Sequence, residues 1–154
     1  MTCREQAGKQ YAQPAIFLIA NPACANIFHY SQRVNDVARV LIVDDFEPVR
    51  RVLTTMLGPH PGVEVVGEAA DGEQAVRRVE ELAPDVVIMD VRMPVMGGIE
   101  ATRRIKSEWP SVIVVGHSSD PSTQSDMDAA GADAHVPKGA PREIVLDLLL
   151  DLTK

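Results

Sequence analysis

Five short apolar runs, rich in Val and Ile, alternate along this chain with stretches whose apolar residues recur every three or four positions. Strands and amphipathic helices carry these two periods respectively. Ala38 to Val43 predicts a first strand. Pro48 falls where a first helical turn tolerates it. Val49, Val52, Leu53, Met56 and Leu57 then form a helical stripe, which Gly58-Pro59-His60-Pro61-Gly62 ends. Val63 to Ala69 alternates apolar and polar residues, as a strand near a sheet edge does. A helix opening at Asp71-Gly72-Glu73 runs to about Leu82, with Ala75, Val76 and Val79 inward, and Pro84 stops it. Residues 85–90 predict a buried central strand. After a Gly- and Pro-rich loop, the pattern predicts a helix over about 99–108, a strand over 112–115 and a helix from Pro121 up to Gly131. A short strand over 134–136 follows, then a last helix opened by Pro141 and Arg142-Glu143. Ile144, Val145, Leu148 and Leu149 line one of its faces.

Five strand–helix units in strict alternation mean a parallel sheet with helices on both faces. The fold class is therefore α/β, a doubly wound five-stranded sheet of order 2-1-3-4-5, the flavodoxin-like arrangement. There is no internal repeat, and with the sequence ending after the fifth helix no second domain is expected.

Three of the strands end in charge. Residues 40–43 run into Asp44-Asp45, residues 85–89 into Asp90, and residues 134–137 into Lys138. In an open parallel sheet, ligands sit outside the carboxyl ends of the strands where the order reverses, here between the first and third. Carboxylates gathered there repel one another unless a divalent cation and the lysine neutralise them. Oxygen-only donors suit Mg2+ better than zinc. The chemistry this predicts is phosphoryl capture. Asp90 would be the nucleophile that forms an acyl phosphate, Asp44 and Asp45 would hold the metal, and Lys138 would pair with the phosphoryl group. Taken singly, an Asp-Asp pair caps turns, a Lys after a short strand is a solvated charge, and Gly97-Gly98 opens a helix. Their joint placement carries the reading.

Composition narrows the function classes. The chain has 154 residues, 45% of them hydrophobic and 24% charged, which is the balance of one globular domain. A net charge of −7 argues against a nucleic-acid or anionic-membrane surface, which needs clustered Lys and Arg. Cys3 and Cys24 match no metal-ligand spacing and no disulfide framework, so a cytoplasmic location is expected. Arg4 and Lys9 precede a short apolar run, and Ala23-Cys24-Ala25 has the small residues of a cleavage site. Asn21-Pro22 interrupts that run. Residues 1–36 are accordingly expected to be a poorly ordered extension, with the domain over 37–154.

Residues 40–45, Pro84-Asp85 through Asp90, Met93-Pro94 with Gly97-Gly98, and Ala130-Gly131-Ala132-Asp133 leading to Lys138 resemble the receiver domain of two-component response regulators. The resemblance spans about residues 37–152. Its motifs are nearest to receivers that usually carry a helix-turn-helix output domain, whereas the chain itself reads as a stand-alone, chemotaxis-regulator-like receiver. The resemblance implies that Asp90 accepts phosphate from a sensor histidine kinase or a histidine phosphotransfer protein. It implies Mg2+ held by Asp44, Asp45, Asp90 and the backbone carbonyl of Arg92, with Lys138 on the phosphoryl group. The output would be a changed protein-binding face on the fourth helix, fifth strand and fifth helix, with a phosphorylation-dependent homodimer as one partner. No enzyme activity toward an external substrate, no nucleic acid and no membrane are expected.

The sequence departs from that family in three places. Family members end the fourth strand on a Ser or Thr that reports the phosphoryl group. Counting forward from Asp90 reaches Ser118, counting back from Lys138 reaches Gly116, and Ser118 is preferred. His135 stands where a Tyr or Phe is usual, either as an edge-strand residue or as part of the switch. Pro137 precedes Lys138 instead of following it. Two rivals follow. One is a phosphorylation-silent interaction module. The other is a Mg2+-dependent phosphatase of the haloacid dehalogenase type, which needs the Asp-x-Asp that Asp44-Asp45-Phe46 lacks.

Overall fold

The computed structural model describes residues 37–154. The extension, with Cys3, Cys24 and the cleavage-like segment, lies outside the described residues. The elements are β1 (Ala38–Val43), α1 (Glu47–Leu57), β2 (Val63–Ala69), α2 (Gly72–Leu82) and β3 (Val86–Asp90). There follow α3 (Gly98–Glu108), β4 (Ile113–Ser118), a 3-10 turn (Pro121–Thr123), α4 (Gln124–Ala130), β5 (Ala134–Pro137) and α5 (Arg142–Leu152). All five strands are parallel, in the order β2-β1-β3-β4-β5.

Local signals set the helix ends. Pro48 sits in the first turn of α1. The Asp71 side chain caps α2 by accepting from the Gln74 N–H at 2.9 Å, supplying one of the donors a helix start leaves unpaired. Gly131 ends α4 at φ 104°, a left-handed conformation natural to glycine.

Strand residues two apart face the same side, so the sheet divides its apolar side chains between two cores. Leu41, Val43, Val87, Met89 and Val114 meet Ala75, Val79, Ala101, Ile105 and Met127 from α2, α3 and α4. Val40, Ile42, Val86, Ile88, Val115 and Val136 meet Leu53, Leu57, Val145 and Leu149 from α1 and α5. Truncating a fully buried member such as Leu57 to Ala would cost about 2–5 kcal/mol.

The structure corrects several details. β4 extends to Ser118 and not only to residue 115, because it is hydrogen-bonded on both sides. His117 pairs with Asp90, and Ser118 with Pro137, beyond the point where the apolar run ends. The predicted helix after Pro121 begins as a 3-10 turn, capped by Asp120 accepting from the Ser122 N–H. Val52 is 62% exposed and Ile144 54%, so neither belongs to an inward stripe. On α1 only the row of Leu53 and Leu57 is fully buried, and α5 is rotated so that Leu146 is buried where Ile144 was expected. Pro137 lies on the edge strand β5, where a missing N–H is tolerated. Among the described residues, no helix is long and apolar enough to cross a membrane.

Candidate functional site

The alternation that fills the α1/α5 core also aims the site. Counting by twos along Val40 and Ile42 reaches Asp44, along Val86 and Ile88 reaches Asp90, and along Val115 reaches His117. Counting by twos from Val136 reaches Lys138. These residues share one face at the carboxyl end of the sheet. Asp44 is 0% and Asp90 4% exposed, while Asp45 is exposed at the rim of the same cluster. One carboxylate oxygen from each of the three lies within 4.8 Å of the others.

Lys138 Nζ bridges the two buried acids, 2.8 Å from Asp44 Oδ2 and 3.1 Å from Asp90 Oδ1. Each acid also accepts a backbone N–H: Asp44 Oδ1 from Phe46 at 2.9 Å and Asp90 Oδ1 from Val91 at 2.8 Å. Burial, and then the charge of Asp44, push the Asp90 carboxyl above the ordinary carboxylate range, against the pull of Lys138. For Lys138, burial favours the neutral amine, but the hydrogen bonds and charges of Asp44 and Asp90 outweigh it and raise its pKa. The half-buried ammonium thus keeps its charge between the two acids.

His117 is a member of this row that the sequence reading missed. It is 4% exposed and lies opposite Asp90 in the sheet register. Burial, and secondarily the Lys138 charge, pull its pKa down to about 4, so the ring is neutral at physiological pH. Its signal was the two-residue step from Val115, hidden because the strand was expected to end there.

The loop after β3 is held tightly. A Cβ on Gly98 would lie 1.9 Å from the Asp90 carbonyl oxygen, so only glycine lets the start of α3 press against the Asp90 backbone. Gly97-Gly98 is therefore more than a turn before a helix. Two residues beyond Asp90, the Arg92 side chain reaches across to Asp120 Oδ2 at 2.5 Å and ties this loop to the one after β4.

The two candidates for the hydroxyl position have different surroundings. Gly116 lies opposite Met89 and His135, on the face away from the acids. Ser118 Oγ is engaged in a local turn, accepting from the Asp120 N–H at 3.1 Å. His135 on the edge strand β5 is held by Asp128, Nε2 to Oδ1 2.6 Å.

A parallel sheet of this order with acids and a lysine gathered at its carboxyl end defines a doubly wound α/β domain with a candidate ligand site at the strand ends. Residues 40–149 match the family described as the response regulator receiver domain, and the chain belongs to that family. It is 44% identical over 105 residues to response regulator GacA of Pseudomonas viridiflava, across 66% of this chain and 49% of that protein. It is 45% identical over 103 residues to a protein-glutamate methylesterase/protein-glutamine glutaminase of Alkalilimnicola ehrlichii, across 65% of this chain but 26% of that protein. Among solved structures, the response regulator domain of Thermotoga maritima CheB superposes with a TM-score of 0.71 at 32% identity, covering 76% of this chain and 96% of that one. The chain thus spans half or less of the length of these full-length relatives. The expectation that no enzyme is involved is corrected by them, because methylesterases stand among the similar proteins and their catalytic identity is carried by chains of which this one matches about a quarter. A receiver pattern read on its own carries no information about the rest of such a chain.

Proposed function

We propose that residues 37–154 act as a phosphoacceptor switch in a two-component phosphorelay, with Asp90 as the phosphorylated residue. The observation that carries this reading is Lys138 bridging Asp44 and Asp90, which leaves Asp90 at the carboxyl end of the central strand beside a neutralising cation. A carboxylate oxygen of Asp90 attacks the phosphorus of a phosphohistidine on a sensor kinase or phosphotransfer protein. The P–O bond forms, the P–N bond breaks, and the departing imidazole keeps the electron pair and takes up a proton. Lys138 then transfers part of its pairing from the Asp90 carboxylate to the new phosphoryl oxygens.

Asp44, Asp45 and Asp90 offer hard oxygen donors close enough to share one Mg2+, with the Arg92 backbone carbonyl as a further donor. When bound, the ion offsets the negative charge of the phosphoryl oxygens. Ser118 stands two residues beyond Gly116, on the face turned from the acids and engaged with Asp120, so the β4 residue facing the phosphoryl group in this reading is His117 and not the hydroxyl that the sequence suggested. The setting of this chemistry is the cytoplasm, and the output is a binding face altered by the difference in free energy between the two states.

Acetyl phosphate with Mg2+, followed promptly by intact-mass measurement, tests the proposal. A gain of one phosphoryl group that is lost in Asp90→Ala supports it. No gain in the parent protein would sink it in favour of a phosphorylation-silent module, and sustained turnover of a generic phosphate ester would favour a phosphatase.

A further inference from the structure

If Asp90 is the phosphoacceptor, as proposed above, the charges of its site do not balance. A phosphoryl group on Asp90 replaces the carboxylate charge by about two negative charges on the new oxygens. Asp44 and Asp45 bring the total to about four. Lys138 and one Mg2+ together supply about three positive charges. His117, on the same face, is buried and neutral at physiological pH. About one negative charge stays unmatched beside two buried acids, where low polarity makes it most costly.

Two arginines reach this end of the sheet. Arg50 is committed: its side chain is 15% exposed and its guanidinium donates to the Asp44 carbonyl at 2.7 Å and to Glu68 at 2.9 Å. Arg92 is not. It stands two residues beyond Asp90, no more than about 7 Å along the chain. Its side chain is 75% exposed, and among the described residues its partner is Asp120 Oδ2, at 2.5 Å. Asp120 follows three residues after His117, which lies opposite Asp90 in the sheet register, so both ends of this ion pair sit at the carboxyl edge. An exposed ion pair is worth little, so it holds the guanidinium in place without committing it. A phosphoryl group, with more charge and oxygens that match the guanidinium fork, competes well against one exposed carboxylate.

Asp120 also has a second hold. Its Oδ1 accepts from the Ser122 N–H at 3.0 Å and from Ser122 Oγ at 2.7 Å, and its carbonyl accepts from Thr123 Oγ1 at 2.7 Å. The carboxylate that holds Arg92 therefore also closes the turn before α4. Loss of Arg92 from Oδ2 is felt at that turn.

We propose that Arg92 is a second phosphoryl-binding cation of this site, and that Asp120 is a positioning residue that holds its guanidinium at the mouth until a phosphoryl group on Asp90 draws it across. The signal then reaches the start of α4 through Asp120.

Acetyl phosphate with Mg2+ supplies the phosphoryl group to the full chain and its variants, and intact mass at timed intervals gives the initial rate. Arg92→Ala should lower that rate about tenfold, the weight of one charge-assisted hydrogen bond. Arg92→Lys, which keeps the charge and loses the fork, should fall between the two. Asp120→Asn keeps an oxygen for Ser122 and removes the competing charge, so it should raise the rate about two- to fivefold. An ion pair that only tied two loops together would move both partners' variants the same way. Amide shifts of the 15N-labelled chain give a second readout. Ser122 and Thr123 should move on phosphorylation in the parent and stay still in Arg92→Ala at equal phosphorylated fraction. An Arg92→Ala rate equal to the parent's, a slower Asp120→Asn, or the same Ser122 and Thr123 shifts in Arg92→Ala would each overturn this proposal alone. No mass gain in the parent would overturn the phosphoacceptor reading and this one with it.

Discussion

Gly116 and His135 sit side by side on β4 and β5, and a Cβ added to Gly116 would lie 2.6 Å from His135 Nδ1. The imidazole thus occupies the volume that any side chain at 116 would need, and its bond to Asp128 holds it there. Gly116→Ala should destabilise the protein by about 1–3 kcal/mol through overpacking. In a His135→Ala background the same change should cost less than about 0.5 kcal/mol, since contacting residues couple and the clash is then gone. Urea denaturation of the four proteins gives the cycle. Equal costs in both backgrounds would show that the ring moves aside freely.

The raised pKa of Asp90 sets a pH dependence. Its carboxyl keeps a proton to higher pH in the folded protein than the usual 3.8 of the unfolded chain. The native state therefore binds more protons across that window. Its stability contribution is most favourable below the unfolded value and declines as pH rises through the folded pKa. Asp90→Asn removes the desolvated charge, and at neutral pH without metal it should stabilise the fold by about 1 kcal/mol. Its stability should also vary less between pH 4 and pH 7 than that of the parent. A lower thermal midpoint for Asp90→Asn at neutral pH would contradict this.

Mg2+ should also stabilise the parent protein, because a ligand that binds only the folded state stabilises it by mass action. At a hundredfold excess over its dissociation constant the gain is about 2.7 kcal/mol. Asp45 is the exposed member of the acid cluster, so Asp45→Ala should fold normally while weakening the Mg2+-induced rise in melting temperature at least tenfold in midpoint concentration. An unchanged Mg2+ midpoint in that variant would remove Asp45 from the metal site.

Val95, in the loop after β3, has φ 67° and is 78% exposed. A β-branched residue in the left-handed region is strained, by about 1–2 kcal/mol relative to residues that tolerate it. Val95→Asn should therefore stabilise the protein by about 1 kcal/mol, read as a higher melting temperature. A decrease would mean that the valine makes a compensating contact with another molecule.

Much of this fold was legible because its signals are local. The caps and breaks at Asp71, Pro84 and Gly131 mark helix ends through backbone geometry, and alternation or continuous apolarity separates β2 from β3. The acids were legible too, since Asp44, Asp45, Asp90 and Lys138 stand directly after strands whose ends the order 2-1-3-4-5 brings together. Hydrophobicity fails where hydrogen bonding takes over. β4 continues through Gly116, His117 and Ser118 because strands on both sides offer backbone partners, and no apolar residue announces it.

The sequence by itself determined the number and order of the elements and the identity of the charged residues at the strand ends, because periodicity and chain order suffice for both. Only the tertiary structure decided that Lys138 bridges Asp44 to Asp90, that His117 joins their row, and that His135 fills the space left by Gly116. Those relations depend on which residues of separate strands stand opposite one another, and a shift of one residue in register would have turned each side chain to the other face of the sheet.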